Sequence, residues 1–306
     1  MLSKFSVTAL IASGALLMGA ASVAAESSDP IKIAINSWTG QHISAHISGS
    51  VLQKAGYNVE YVTAGAVPQF AAISQGNIHL QPEAWGNNVG AIYENAVASG
   101  DIIKLGSLGL KPVEGWMYPP YMKEQCPGLP AVDALMKCAQ VFATAETFPK
   151  ARLITYPADW GTRSKDLVKK AGWPIHPIAG GSEGAMIAEM NSAQKSKKPI
   201  LVMFWLPHWI HTPYDWEFVD MSSLNSTCET TEVCSFEQAD ITKIVSGDFE
   251  AKWPGAFKIM QKLSIDNATM NALMLEVDNK ERELEDVVSE WMSDNTIQVQ
   301  SWVAAG

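Results

Sequence analysis

Tryptophan side chains are the residues of this chain whose type and placement point most directly to binding chemistry. The chain has 306 residues and contains 11 tryptophans. Trp38, Trp85, Trp160 and Trp205 each close or follow a segment that reads as a buried strand. The face of an indole ring carries negative potential and attracts cations, above all quaternary ammonium groups, which lack an N–H donor. These indoles predict a cleft for a methylated amine, with stacking on sugars as the competing interpretation.

A serine in a glycine-rich stretch raises the alternative of a hydrolase. The sequence "GGSEG" matches the G-x-S-x-G elbow, which would make Ser182 a nucleophile. That elbow needs a strand leading straight into it, and the preceding "WPIHPIA" contains Pro174 and Pro177. We therefore expect Ser182 to cap the helix that begins at Glu183, and we expect no catalysis.

Histidines and acidic residues could in principle bind a metal ion. The histidines form two close pairs, His42 with His46 and His208 with His211, but no third ligand has a convincing spacing. The acidic segment "YDWEFVD" could hold Ca²⁺, although alternating acidic residues on a strand are usually its solvated face. The cysteines are a further possible site for a zinc ion. We expect no metal ion and no cofactor.

The four cysteines form two close pairs, Cys126 with Cys138 and Cys228 with Cys234. In an exported protein, local pairing into two disulfides is the default interpretation. Zinc remains the alternative, although neither pair has C-x-x-C spacing. Each disulfide would close a short surface loop, so we expect local stiffening.

The N-terminus has the pattern of a secretory signal peptide. Lys4 precedes an apolar stretch from about residue 5 to residue 18, and Val23 and Ala25 are the small residues before the expected cleavage site. No later segment is an uninterrupted apolar span of membrane length. We expect residues 1–25 to be removed and the mature protein to be soluble and periplasmic. The formal net charge of −10 without basic clusters makes nucleic acid an unsuitable partner.

Strands and helices alternate twice along the chain. The first series of strand, helix, strand, helix, strand is "IKIAI", "SAHISGSVLQKAG", "NVEYVTA", "PQFAAISQGN" and "IHLQPEAW". The second series is "ARLITYP", "GTRSKDLVKKAG", "SEGAMIAEMNSAQKSKK" and "PILVMFWLP". Each series predicts a parallel sheet covered by helices, and the end of the chain reads as mostly helical. Ligands of such sheets bind beyond the carboxyl ends of the strands, which is where the indoles lie.

Six motifs carry a family resemblance: "INSWTGQ", "QPEAWGN", "VEGWMYP", "YPADWGT", "GGSEGAMIAEM" and "KPILVMFWLPHW". In their order and spacing, over nearly all of the mature chain, the sequence resembles the periplasmic glycine betaine/choline-type substrate-binding proteins of ABC transporters. The resemblance implies an α/β, two-lobed periplasmic binding protein fold, each lobe a mostly parallel sheet flanked by helices, with the ligand cleft between the lobes. It also implies a membrane permease with its ATPase as partners, and we expect a monomer.

The resemblance predicts where the lobes divide and which residues meet the ligand. Lobe one would comprise residues 26–113 and 214–306, and lobe two residues 114–213, with hinge closure on the ligand. The aromatic box of the family maps by motif onto Trp38, Trp85, Trp116 and Trp205. The nearest candidates for polar contacts are Glu114, Asp159 and Trp160.

Departures from the family pattern bear on the identity of the ligand. Similar choline binders carry an Asp two residues after the first Trp, where this chain has Gly40. Glycine betaine needs donors or a cation for its carboxylate, and Arg163, just after "DWGT", is the candidate. Trimethylamine N-oxide presents one small acceptor oxygen and suits a nearly all-indole pocket. We therefore expect trimethylamine N-oxide, with glycine betaine or choline as the alternative.

Overall fold

The computed structural model describes residues 26–236 and 240–306, so the predicted signal peptide lies outside the described residues. The strands are β1 (Ile31–Ile35), β2 (Val59–Thr63), β3 (Leu80–Trp85), β4 (Ile102–Ser107), β5 (Val113–Tyr118), β6 (Ala151–Thr155), β7 (Ile175–Ala179), β8 (Leu201–Leu206), β9 (Glu217–Phe218) and β10 (Ile241–Ser246). The helices are α1 (Thr39–Lys54), α2 (Pro68–Ser74), α3 (Ala91–Ser99), α4 (Met122–Gln125), α5 (Val132–Lys137), α6 (Arg163–Ala171), α7 (Glu183–Ser196), α8 (Cys228–Thr231), α9 (Phe249–Lys252), α10 (Pro254–Lys262), α11 (Asn267–Met274), α12 (Leu284–Asp294) and α13 (Thr296–Val303).

The strands form two five-stranded sheets, and each sheet defines one unit of the protein. The first unit has the order β2-β1-β3-β10-β4, and the second has the order β7-β6-β8-β5-β9. Strands β1, β2 and β3 are parallel, as are β6, β7 and β8. Strands β10 and β5 run antiparallel to their neighbours. The predicted two-unit α/β fold is confirmed, and both sheets are mixed because each receives one strand directly after the chain changes units.

The chain passes between the units twice. It leaves the first unit between β4 and β5, close to the predicted crossing at Val113, which is the first residue of β5. The predicted return near Tyr214 comes too early, because β9 still pairs with β5 and Asp220 bridges Ala131 in the second unit. The chain joins the first unit again at β10.

Local sequence explains the elements that carry the indoles. Residues 201–205 of β8 are all buried, as expected for a strand covered on both faces. Pro82 lies inside β3, where the pairing with β10 shifts register between Thr242 and Ile244, and such irregularities tolerate proline. Helix α1 is followed by Gly56, whose φ of 97° suits glycine at a helix C-terminus.

The C-terminal helices cover the first unit. Helices α10, α11, α12 and α13 all contact α1. Trp253 is fully buried and donates from Nε1 to the carbonyl of Ser27 at 3.1 Å. Trp302 is buried and stacks on Trp291 with ring centroids 6.2 Å apart. Trp253 and Trp302 thus pack in the protein core.

Both predicted disulfides are confirmed. Cys126 is bonded to Cys138, and Cys228 is bonded to Cys234, with Cα–Cα distances of 5.6 Å and 4.7 Å. The zinc alternative for these cysteines is therefore wrong. None of the described helices is long and apolar enough to cross a membrane.

Candidate functional site

An indole-lined cavity lies between the two units. Its volume of about 40 Å³ is space for roughly three or four water molecules. The first unit contributes Trp38, Ala66, Val67, Gln69, Phe70, Trp85 and Val89, and the second contributes Glu114, Tyr156, Trp160 and Trp205. A cavity of this size and composition suits a small ligand with several apolar groups.

The aromatic rings of the cavity pack edge to face across the boundary between the units. The centroids of Trp38 and Trp160 are 5.0 Å apart with an angle of 65° between the rings. Trp160 also lies 5.6 Å from Trp205 at 72°. Tyr156 is 5.7 Å from both Trp160 and Trp205. Such pairs are favourable and fix the ring orientations, so the walls of the cavity are rigid.

Each indole is placed by the end of an element. Trp38 is the residue before α1, with φ of −132° and ψ of 149°. Trp85 ends β3, and Trp205 lies one residue before the end of β8. Trp160 ends a short 3₁₀ helix after β6 and donates from Nε1 to Ser37 Oγ of the first unit at 2.9 Å. The rule that ligands bind at strand ends thus describes this cavity.

Glu83, which the sequence did not single out, anchors two of these indoles. Its Oε1 accepts hydrogen bonds from Trp38 Nε1 at 2.8 Å and from Trp85 Nε1 at 3.1 Å. Ser44 lies 3.0 Å from the other carboxylate oxygen. Burial raises the pKa of Glu83 to about 7, although the three hydrogen bonds lower it. The acidic residue two positions before Trp85 in "QPEAW" was the available sequence signal.

Glu114 brings a second carboxylate to the cavity. It lies on β5 opposite Trp205 in the sheet register, and its side chain is 1% exposed. Its Oε2 accepts from Arg163 at 2.8 Å and from Asn87 Nδ2 of the first unit at 3.0 Å. Burial, together with Glu114, raises the pKa of Tyr156 well above its usual value. Tyr156 therefore stays a neutral hydroxyl at the cavity wall, hydrogen-bonded to Glu114.

Most of the predicted site residues meet at this cavity, with two exceptions. Trp38, Trp85, Trp205, Trp160 and Glu114 line it. Trp116 lies outside it, fully buried, with its Nε1 donating to Ser164 Oγ at 2.9 Å and its ring 5.7 Å from that of Trp173. Asp159 does not line the cavity either; its carbonyl accepts from Val67 N of the first unit at 3.2 Å. Trp160 and Tyr156 complete the aromatic lining of the cavity, and Trp116 does not contribute to it.

A second set of polar contacts joins the units. Glu183, the first residue of α7, accepts through Oε2 from Thr39 N at 2.9 Å and from Thr39 Oγ1 at 3.1 Å. Thr39 Oγ1 also lies 2.5 Å from Asp278 Oδ1, and Trp209 Nε1 donates to Asp278 Oδ2 at 2.8 Å. Burial, and next the charge of Glu183, raise the pKa of Asp278. These contacts span both units and are all buried or half-buried.

The structure also locates the residues of the alternative hypotheses. Ser182 Oγ accepts from Ala185 N at 3.2 Å, so the predicted cap is confirmed. The reason given against the elbow is wrong, because "IHPIA" forms β7 despite Pro177; it is an edge strand, where proline is tolerated. His208 lies 3.2 Å from Glu183 Oε1.

The other three histidines considered as metal ligands contact neighbouring residues. His42 Nε2 lies 2.5 Å from the carbonyl of Asn36, and the ring of His46 stacks on Tyr61. The ring of His211 stacks on Phe218.

In the acidic segment considered as a calcium site, Glu217 has a lysine and a tyrosine as partners. Glu217 accepts from Lys123 Nζ and from the Tyr118 hydroxyl.

Another group of possible metal ligands lies between the units. The ligand atoms of Glu183, His208 and Asp278 all lie within 4.8 Å of one another. The Glu183 carboxylate already accepts from Thr39 N, and the Asp278 carboxylate already accepts from Trp209 Nε1.

Sequence comparisons identify the family of known proteins that this chain matches. Residues 29–294 match the family described as the substrate-binding domain of the ABC-type glycine betaine transport system. The trimethylamine N-oxide-binding protein of Pelagibacter ubique (strain HTCC1062) is 27% identical over 285 residues, which cover 89% of this chain and 90% of that protein.

Solved structures show the same fold. The glycine betaine/L-proline-binding protein ProX of Borrelia burgdorferi superposes with a TM-score of 0.76 at 20% identity, covering 90% of this chain and 96% of that one. A choline-binding protein in complex with choline superposes with a TM-score of 0.76 at 15% identity, covering 90% and 91%. The family match extends over most of the chain. This chain therefore belongs to the family of substrate-binding domains of ABC-type glycine betaine transport systems.

Proposed function

We propose that this protein captures trimethylamine N-oxide for an ABC transporter and holds it in a cage formed by Trp38, Trp85, Trp160 and Trp205. The observation that carries the proposal is the cavity itself, which is walled by these indoles from both units. The methylated nitrogen of an amine oxide is positive and weakly hydrated, so indole faces attract it while its methyl groups fill the apolar space. Hinge closure of the two units around the ligand completes the cage.

The charges of the cavity favour the N-oxide over glycine betaine. Glu114 presents a buried carboxylate to the cavity, and a carboxylate-bearing ligand would meet like-charge repulsion there. Arg163, the candidate partner for such a ligand, donates to Glu114 instead. The Tyr156 hydroxyl, which hydrogen-bonds to Glu114, would have to turn away from that carboxylate to donate its one hydrogen to the oxygen of the N-oxide.

The position of Gly40 argues against choline. A Cβ added there would lie 3.8 Å from the carboxylate oxygens of Glu83 and 3.6 Å from Met274 Sδ. Similar choline binders have an Asp at this position, which suits the choline hydroxyl. In this chain Gly40 has no side chain to offer, and it lies next to Glu83, the residue that anchors Trp38 and Trp85. Choline remains the alternative ligand, because Glu114 could accept its hydroxyl.

The proposal places the protein in the periplasm after removal of residues 1–25, as a monomer that delivers its ligand to a permease and ATPase. It has no catalytic role and uses no cofactor, metal ion or nucleic acid. Ser182 supports this view, because its hydroxyl caps α7.

Calorimetric titration with trimethylamine N-oxide, glycine betaine and choline tests the proposal. The best small ligands gain about 1.5 kcal/mol per heavy atom, so an N-oxide with about five heavy atoms reaches a Kd of roughly a few micromolar. We expect that affinity for the N-oxide and weaker binding of the other two. Tighter binding of glycine betaine or choline would transfer the assignment to that ligand. Absence of binding by all three, or turnover of any of them, would contradict the function.

A further inference from the structure

Glu83 combines burial with contacts to two walls of the cage. The residue is 2% exposed, and one carboxylate oxygen, Oε1, accepts the N–H groups of both Trp38 and Trp85. An indole N–H is a donor only, so this oxygen must supply lone pairs to both rings. The carboxylate therefore fixes the orientation of two rings and lies at their N–H edges.

The hydroxyl of Ser44 allows this carboxylate to hold or to lose a proton. Ser44 Oγ lies 3.0 Å from Glu83 Oε2 and also 3.0 Å from the carbonyl of Gln41. A serine hydroxyl has one hydrogen to donate and two lone pairs to accept with. When Glu83 is ionised, Ser44 donates to Oε2. When Oε2 is protonated, it donates to Ser44 Oγ, and Ser44 donates to the carbonyl. Both states keep the two indole contacts.

Among the contacts described, no cationic side chain is hydrogen-bonded to the Glu83 carboxylate. Burial, and to a smaller extent the nearby negative charge of Glu183, raise its pKa to about 7. The other titratable or charged groups on the elements packed around β3 and across the cavity are Lys32, His42, His46, Lys54, Glu114, Tyr156, Arg163, Lys243 and Asp278. Of these, Lys243 directs its ammonium group to the carbonyls of Gln261 and Leu263.

We propose that Glu83 is a positioning residue that also favours a positively charged nitrogen in the cage: its ionised carboxylate anchors Trp38 and Trp85 and adds negative charge at the N–H edges of both rings. This inference rests on the proposed function. A ligand with a full positive charge gains from that charge, whereas an N-oxide, whose net charge is zero, gains less. Binding of a cation therefore favours the deprotonated carboxylate, so affinity falls as the pH falls below about 7.

The substitution Glu83→Gln separates charge from geometry. The glutamine oxygen can accept from the same two indoles, and its amide can donate to Ser44 Oγ. We expect it to weaken binding of tetramethylammonium about tenfold at high pH, as expected of one unit charge at a partly shielded site. Trimethylamine N-oxide should lose much less affinity. Glu189→Gln, an exposed change on α7, is the matched control and should alter neither affinity.

The pH profile adds a measurement that a purely structural role would not affect. With a tenfold coupling, wild-type affinity for tetramethylammonium falls about fivefold from about pH 8.5 to about pH 6, and Glu83→Gln has a flat profile. Calorimetry of the wild-type protein in two buffers of different ionisation enthalpy should show release of about half a proton per tetramethylammonium near pH 6.5. This second measurement does not require the variant to fold.

The outcomes distinguish this inference from the proposed function. If the wild-type protein binds the ligands, but releases no proton or shows the same pH profile as Glu83→Gln, Glu83 does not supply the selecting charge and the inference is wrong. If the wild-type protein binds neither tetramethylammonium nor trimethylamine N-oxide, the proposed function fails and the inference fails with it.

Discussion

Removal of the Glu183 carboxylate should weaken ligand binding although this residue does not line the cavity. Glu183 belongs to the second unit and is 5% exposed, and its Oε2 accepts two hydrogen bonds from Thr39 of the first unit. If closure of the units is part of binding, these two bonds form only in the closed state. Their loss in Glu183→Ala therefore lowers affinity without changing any contact to the ligand.

The size of the effect follows from the contacts. A hydrogen bond to a charged group contributes about 1.5–3 kcal/mol, and truncation leaves the Thr39 N–H without that acceptor. Two factors reduce the loss. Thr39 Oγ1 can still donate to Asp278, and removal of Glu183 relieves the repulsion that helps to raise the pKa of Asp278. We therefore expect a net loss of about 1–2 kcal/mol, or a Kd that is roughly 5–30 times higher.

Calorimetric titration with trimethylamine N-oxide measures this loss, and small-angle scattering with and without ligand reports whether the units close. Glu189→Ala is the matched control on the same helix. Its carboxylate is paired with Arg152 of the same unit at 2.5 and 2.8 Å, so its removal should leave both measurements unchanged.

The contribution of Glu183 to closure is refuted if folded Glu183→Ala binds with wild-type affinity and compacts normally on ligand addition. A loss of affinity that the Glu189→Ala control reproduces would assign the effect to α7 in general and would also refute the reasoning.

Three further predictions concern the cage, a disulfide and a buried lysine. Trp160→Ala should weaken ligand binding by about 1–3 kcal/mol. Trp116→Ala should instead lower the free energy of unfolding by about 3–5 kcal/mol and leave the affinity of the folded protein unchanged. The reverse result in titration and urea unfolding would return Trp116 to the aromatic box. Replacing Cys228 and Cys234 by Ser should cost about 2–3 kcal/mol of unfolding free energy without altering affinity, and free thiols in the wild-type protein by mass spectrometry would contradict the pairing. Burial lowers the pKa of Lys243 to about 8 from 10.5, so between these pH values the unfolded chain binds more protons than the folded protein. The free energy of unfolding of the wild-type protein should therefore rise with pH in this range relative to that of Lys243→Met. A difference between the urea midpoints of the two proteins that stays constant with pH would argue against this.

The sequence predicted the fold well because its information is local and repeated. Two series of alternating strands and helices require two sheets with helical covers, and short connections bring consecutive strands together. The position of the return crossing was harder to predict, because β9 has only two residues, Glu217 and Phe218, and gives no periodic signal.

The position of Trp116 in the structure shows what motif comparison alone misses. An aromatic position in the family was matched to the aromatic residue in "VEGW". In the sheet, Glu114 lies opposite Trp205 at the cavity, while Trp116 pairs with Met203, two residues further along β5. Two residues along a strand move a side chain by about 6–7 Å on the same face. That shift is enough to take Trp116 out of the cavity and into the core.

Buried polar anchors were also invisible in the sequence. A glutamate in a strand is usually a solvated residue, and its position two residues before Trp85 did not indicate that Trp38 would donate to it as well. Trp38 lies 45 positions away, so the contact exists only once β3 and the start of α1 are adjacent. Such anchors depend on tertiary packing, which periodicity does not report.

The two carboxylates of the site come from different units, and this division has a consequence for selectivity. Glu83 supports the indoles of the first unit, and Glu114 lies on β5 of the second. With the units apart, water around each group would screen its charge. Closure around a ligand removes that water and increases the electrostatic attraction of both carboxylates for a positive nitrogen. Under the proposed hinge motion, an amine with a positive nitrogen would therefore favour closure more than a neutral molecule of the same shape.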